Sequence, residues 1–190
     1  MAQATLPTRQ YRPLIEALAA HYRLPAWPSL GTGAEWFEGL VMAESSGDAR
    51  ARRYEPHQDK AGRPDASADA DEPGVDDGDI EDDASYGLTQ VMGYNARKIL
   101  SAPRSGRMGY AWMYDAPAAL WLGFRMIVAE LAAVNGDVER ALARYNGGPT
   151  GDDPTPNPQT GRQEMRRQDY VRRVCRATAQ VQADKMVRTT

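Results

Sequence analysis

Apolar residues recur at helical spacing in six segments of this chain, separated by proline, glycine and acidic clusters. Leu14, Ile15, Leu18, Ala19 and Tyr22 follow Pro13, a suitable first-turn proline, and predict a helix over about 12–22. PAWPSLGTG breaks the chain, and a second helix begins near Ala34 and stops at Ser46-Gly47. A short helix is expected over about 94–100. The longest covers about 116–134, with Asp115 as its cap and Pro117 in its first turn. Asp137 caps a fifth helix bearing Val138, Ala141, Leu142 and Tyr145, which Asn146-Gly147-Gly148-Pro149 ends. A last helix over about 166–184 buries Tyr170, Val171, Val174, Cys175 and Thr178.

Between these segments residues 54–83, SAPRSGRMG and GDDPTPNPQTG show no folding period and are expected to be loops. No internal repeat is visible. The expectation is one all-α domain spanning residues 1–190, with residues 57–83 as an acidic loop insertion.

Composition narrows the functional classes. A length of 190 residues with 42% hydrophobic and 26% charged side chains suits one globular domain. No unbroken apolar run approaches a membrane span, so no membrane insertion is expected. A single cysteine, Cys175, excludes an internal disulfide framework and a cysteine metal cage, and two histidines, His21 and His57, leave little for a histidine site. No metal and no cofactor are expected. The N-terminal stretch lacks the apolar core of an export signal, which points to synthesis in a cytoplasm.

The net charge of -3 conceals a division, because residues 65–83 hold ten acids and no base. The remainder is basic, which suits nucleic acid, an anionic membrane or an anionic wall polymer alike. The arginines are scattered, Arg50, Arg52 and Arg53 among them, without a nucleic-acid reading motif, so no nucleic-acid partner is expected.

The informative position is Glu44. Phe37, Leu40, Val41 and Glu44 occupy i, i+3, i+4 and i+7, so a carboxylate extends the core stripe of the second helix. Either the helix end frays and the side chain points into water, or the carboxylate sits at a cleft edge, partly solvated or kept protonated. The second arrangement suits a general acid of the kind that glycosidic cleavage needs.

Neighbouring motifs favour it. Glu44-Ser45, Ser85-Tyr86-Gly87-Leu88-Thr89-Gln90-Val91-Met92, Tyr114-Asp115-Ala116-Pro117 with Gly123, Ala143-Arg144-Tyr145-Asn146-Gly147-Gly148 and Tyr170-Val171-Arg172-Arg173-Val174 follow in that order. Over about residues 34–175 this succession resembles the soluble lytic transglycosylases and their relatives, the goose-type lysozymes and phage endolysins.

The resemblance implies a lysozyme-like helical fold that cleaves peptidoglycan between N-acetylmuramic acid and N-acetylglucosamine. It makes Glu44 the single catalytic acid, later acting as base, with the hydroxyl of Tyr145 nearby. It places Ser45, Tyr86, Gly87, Leu88, Gln90, Asn146 and Tyr170 along the sugar cleft. It further implies a monomer acting on glycan strands, delivered to the wall by phage release or within a virion. Because the sugar's own 6-hydroxyl can close an anhydro ring, one carboxylate can serve both steps.

Thr89, Arg144 and Ala119 depart from the family's usual methionine, small residue and asparagine. The interval from Glu44 to Gly87 is about twice the family's, which makes the acidic loop an insertion. Asp82 or Asp83 facing Glu44 at about 6.5–9.5 Å would instead allow inverting hydrolysis, as in a muramidase. A third reading is a non-catalytic wall-binding protein on the same fold. Asp69, Asp71 and Gly74 echo a calcium loop, but Ile80 stands where its glutamate belongs. His21 and His57 read as surface residues, Cys175 and Trp121 as core, and Trp112 as core or sugar-stacking.

Overall fold

The computed structural model describes residues 6–54, 84–102, 109–157 and 163–189. They form six α-helices and five short strands, so the chain is mostly helical. The helices are α1 (Arg12–His21), α2 (Gly33–Ser45), α3 (Gly93–Ile99), α4 (Ala116–Ala133), α5 (Val138–Gly147) and α6 (Gln168–Thr189). A 3₁₀ segment, Pro7–Tyr11, leads directly into α1.

The strands correct the expectation of helices and loops alone. β1 (Arg52–Tyr54), β2 (Ala84–Tyr86) and β3 (Val91–Met92) form an antiparallel sheet in that order, and β4 (Pro154–Pro156) pairs with β5 (Gln163–Met165). None exceeds three residues, too few for an alternating pattern to stand out; β1 opens on two arginines, and β4 has proline at both ends. Tyr54, expected to open a long loop, ends β1, and β4 lies inside the expected loop GDDPTPNPQTG. The last helix begins two residues later and runs five residues further than its periodicity implies. The acidic insertion, with Asp69, Asp71, Gly74, Ile80, Asp82 and Asp83, lies outside the described residues, as does His57.

The chain divides into two compact units. One contains residues up to Ser46 and from Phe124 onward, and the other runs from Gly47 to Gly123. The division falls within α4, between Gly123 and Phe124.

In the first unit α2 is the central element. Thr32 accepts a hydrogen bond from the Glu35 backbone N–H while Glu35 accepts one from Thr32, a reciprocal cap that fixes where the helix starts. Its end is set by Ser46, whose positive φ of 55° breaks the helical run while its N–H still bonds Met42. Trp36, Phe37, Leu40 and Val41 are all fully buried. Phe37 stacks on Phe124 at 3.7 Å between ring centroids, and Tyr22 stacks on the same ring at 5.8 Å. α6 packs along α2, and Gly39 makes the approach possible, since a Cβ there would stand 2.1 Å from Thr178 Oγ1.

A buried polar cluster closes this unit. Glu38 is 1% exposed and accepts hydrogen bonds from Thr8 at 2.9 Å and from Arg12 at 2.8 Å to each carboxylate oxygen. Arg12 also donates to Asp184 at 3.1 Å, joining the first residue of α1 to α6. Every charge in the cluster therefore has a partner, the condition under which buried charges are tolerated.

In the second unit the β2–β3 turn is the organising feature. Gly87 has φ of +67°, and a Cβ there would stand 2.2 Å from the Met113 carbonyl oxygen. Thr89 is fully buried and donates to the Ala119 carbonyl at 2.7 Å, which gives its departure from methionine a structural use. Asp115 caps α4 by accepting from the Ala118 N–H.

By length and composition α4 is apolar enough to cross a membrane, although Arg125 and Glu130 interrupt its apolar run. Its Leu120, Leu122, Phe124 and Ile127 are fully buried, so the same residues that raise its hydropathy serve as core.

Candidate active site

Glu44 lies in the last turn of α2 and is half-buried, between the solvated and core extremes that its stripe position allows. The phenol of Tyr170 donates a hydrogen bond to Glu44 Oε1 at 2.7 Å. Tyr170 sits in the first turn of α6 and is 5% exposed, so the packing of α6 on α2 delivers its hydroxyl to the end of the neighbouring helix. Burial, then the negative charge of Glu44 and the influence of Tyr145, hold the Tyr170 phenol well above the usual tyrosine range. The hydrogen bond to Glu44 acts the same way, and the charge of Arg173 opposes them. The phenol thus remains a donor toward the carboxylate over any physiological pH.

Tyr145, on α5, is buried. Its phenol adds to the upward push on that of Tyr170. Asn146 follows it, half-buried, in the last turn of α5. Ser45 is buried, and its hydroxyl donates to the Val41 carbonyl at 3.1 Å on its own helix.

The other candidates belong to the second unit. Tyr86 is 3% exposed, stacks on Tyr110 at 5.4 Å, meets Tyr114 edge-on, and lies under the Arg52 guanidinium. Leu88 is fully buried. Gln90, with φ of +49°, donates from Nε2 to the carbonyls of Ala51 and Gly87 and accepts from Ser85 Oγ at 2.8 Å. These bonds spend the amide on holding the β2–β3 turn against the chain entering β1. The structure therefore brings Glu44, Tyr145 and Tyr170 together in one unit, while Tyr86, Gly87, Leu88 and Gln90 form a cluster in the other.

Two arginines were overlooked, one beside Tyr170 and one that ties α4 and α5 to the segment after α5. Arg173 lies 5.1 Å from the Tyr170 ring centroid, three residues further along α6. Arg144, read only as a departure from the family pattern, joins α4 to the segment after α5. It donates to Glu130 at 2.7 Å, to the Pro149 carbonyl at 2.8 Å and to Asp152 at 3.4 Å. Asp152 is also held by Arg140 at 2.7 Å. The repeated spacing of arginine after Tyr170 was the available signal for the first, whereas the second depends on contacts that no local spacing reveals.

The residues read as bystanders are placed plainly. His21 is exposed on α1. Trp112 and Trp121 are half-buried, as is Cys175, whose thiol is raised above its ordinary range chiefly by burial. The apolar face of α6 therefore covers Cys175 and α4 covers Trp121 only partly, where both were expected to be core. Among the described residues no group of three or more histidine, cysteine or acidic side chains could hold a metal ion.

No family model matches the chain, and no curated protein or solved structure matches it significantly.

Proposed function

We infer that the chain cleaves the glycan strands of peptidoglycan, as a lytic transglycosylase of lysozyme-like fold with Glu44 as acid and then base. The observation that carries this reading is the phenol of Tyr170 seated on a half-buried carboxylate at the end of a core helix. The order of motifs along the sequence supports it from a separate direction.

The chemistry follows from the arrangement. Glu44 Oε1 accepts the phenol's hydrogen, so the proton for the glycosidic oxygen is carried on the other carboxyl oxygen. Transfer of that proton leaves a carboxylate, and the phenol bonds the charged form more strongly than the neutral one. The hydrogen bond therefore contributes most as the sugar gains oxocarbenium character. The carboxylate then removes the proton from the 6-hydroxyl of the muramoyl residue as the anhydro ring closes, which returns Glu44 to its starting state. Water need not attack, and a second carboxylate is not required.

Replacing Glu44 by Gln keeps size and hydrogen-bonding capacity while removing the transferable proton. Wall clearing is expected to cease with the unfolding temperature unchanged, and undiminished clearing would refute the assignment. Mass spectrometry of released muropeptides distinguishes this reaction from muramidase hydrolysis, since anhydro ends mark ring closure and reducing ends mark attack by water.

A further inference from the structure

We propose that Asp152 is a positioning residue for the Glu44 site, holding the first turn of α6 so that the Tyr170 hydroxyl meets the carboxylate. The inference rests on the reading of Glu44 as the proton donor and adds the residue that keeps its partner in place.

Asp152 faces two ways. Its side chain, 5% exposed, turns to α5, where Oδ2 is held by Arg140 at 2.7 Å and Oδ1 accepts from Arg144 at 3.4 Å. The two arginines are four residues apart and so share one face of that helix. Arg144 is itself fixed by Glu130 of α4 at 2.7 Å and by the Pro149 carbonyl at 2.8 Å. The backbone on either side of Asp152 turns to α6. The Gly151 carbonyl accepts from the Arg167 N–H at 3.1 Å and the Asp153 carbonyl from the Arg166 N–H at 2.9 Å, which closes the base of the β4–β5 hairpin. The Arg167 carbonyl then accepts the N–H groups of Tyr170 and Val171 at 3.0 and 3.2 Å. A short run of bonds thus leads from α5 through Asp152 and Arg167 to the residue that bonds Glu44.

Helix ends are where such a run matters. The packing of α6 on α2 fixes the body of the helix, where Val174 and Thr178 are fully buried. The first turn of any helix lacks its full set of internal bonds and opens most readily unless it is tied from outside. Tyr170 lies in that turn. Its bond to Glu44 is 2.7 Å long, and a shift of about 0.5 Å would carry it to the edge of hydrogen-bond range. Arg140 is half-exposed, and ion pairs to such a group contribute little to stability, so the use of the tie lies in geometry. Arg144 is a departure from the family pattern, which therefore does not supply this tie.

The test pairs kinetics with carbon NMR of the full-length protein, labelled at the tyrosine ring carbon that bears the hydroxyl. The Tyr170 resonance is the one missing from Tyr170→Phe, and Glu44→Ala shows how far it moves when the carboxylate is lost. Asp152→Ala is expected to move it in the same direction in a protein that remains folded. On a defined glycan oligomer Asp152→Ala is expected to lower kcat roughly threefold or more, and in a Tyr170→Phe background to lower it no further, because the bond is already gone. Asp152→Asn keeps the size and one acceptor oxygen; it should fall between, and it carries the same comparison if Asp152→Ala does not fold. An unmoved resonance, or a kcat loss that adds in full to that of Tyr170→Phe, marks a purely structural ion pair and overturns the inference. A wild type without turnover overturns the glycan reading alone, and the resonance still decides the role of Asp152.

Discussion

The change Tyr170→Phe removes one oxygen from the candidate site and leaves the ring that Arg173 covers. The lost bond is 2.7 Å long and ends on a carboxyl group, so its charged form is worth about 1.5–3 kcal/mol. A bond to the neutral acid is worth about half as much. The difference, about 0.75–1.5 kcal/mol, is felt only as Glu44 gives up its proton, and lowers kcat roughly three- to twelvefold. KM should change little, because the ground state keeps its contacts. Turnover of a defined glycan oligomer, followed by chromatography, gives both parameters. An unchanged kcat, or a loss confined to KM, would refute the reasoning.

The same variant has a second readout independent of activity. The Tyr170 phenol is raised well above its ordinary value of 10.0 by burial first and by Glu44 next. The folded state therefore holds a proton that the unfolded chain releases near pH 10. The stability this confers is fully present below that pH and is lost as pH rises toward the folded value. Alkaline unfolding should be shallower above about pH 10 in Tyr170→Phe than in the wild type.

Three other outcomes concern the scaffold. Glu38→Ala strands Arg12 and Thr8 in a buried cluster and should cost about 3–5 kcal/mol in urea unfolding. Gly87→Ala drives a methyl toward the Met113 carbonyl at positive φ and should destabilise by more than the roughly 1 kcal/mol of an ordinary glycine replacement, measured in the same way. Burial tends to raise the Asp152 carboxyl, but the hydrogen bond and charge of Arg140, with the charge of Arg144, leave it below its ordinary 3.8. Its contribution is present above that value and disappears as pH falls through the lower folded one. Asp152→Asn should flatten the acid limb of a stability profile.

Much of the helical framework was legible because it is local. Phe37, Leu40 and Val41 predicted a buried stripe, and all three are fully buried with Glu44 half-buried at its end. Asp115 and Asp137 predicted helix starts, and both accept the backbone hydrogen bonds that a cap requires. Glu38 was not legible. It stands beside Phe37, and its burial is tolerable only because Thr8 and Arg12 arrive from 30 and 26 residues away. Gly39 hinted that α2 is enclosed on more than one side, since a helix interior seldom carries glycine without a close approach. The Glu44–Tyr170 bond joins residues 126 positions apart, which no period encodes; motif order alone placed the two in one site. The amide of Gln90 is engaged with the backbone of Gly87 in its own turn and of Ala51, 39 residues away. The hydrogen bonding that a polar side chain ends up serving is decided by chain neighbours that the pattern does not identify.

Glu44 as the proton donor to a glycosidic oxygen is tested most directly by digesting purified peptidoglycan with wild type and Glu44→Gln in parallel and weighing the released fragments. The expected result is anhydromuramoyl-ended fragments from the wild type and none from a folded Glu44→Gln. Equal release from both proteins, or none from the wild type, would contradict it.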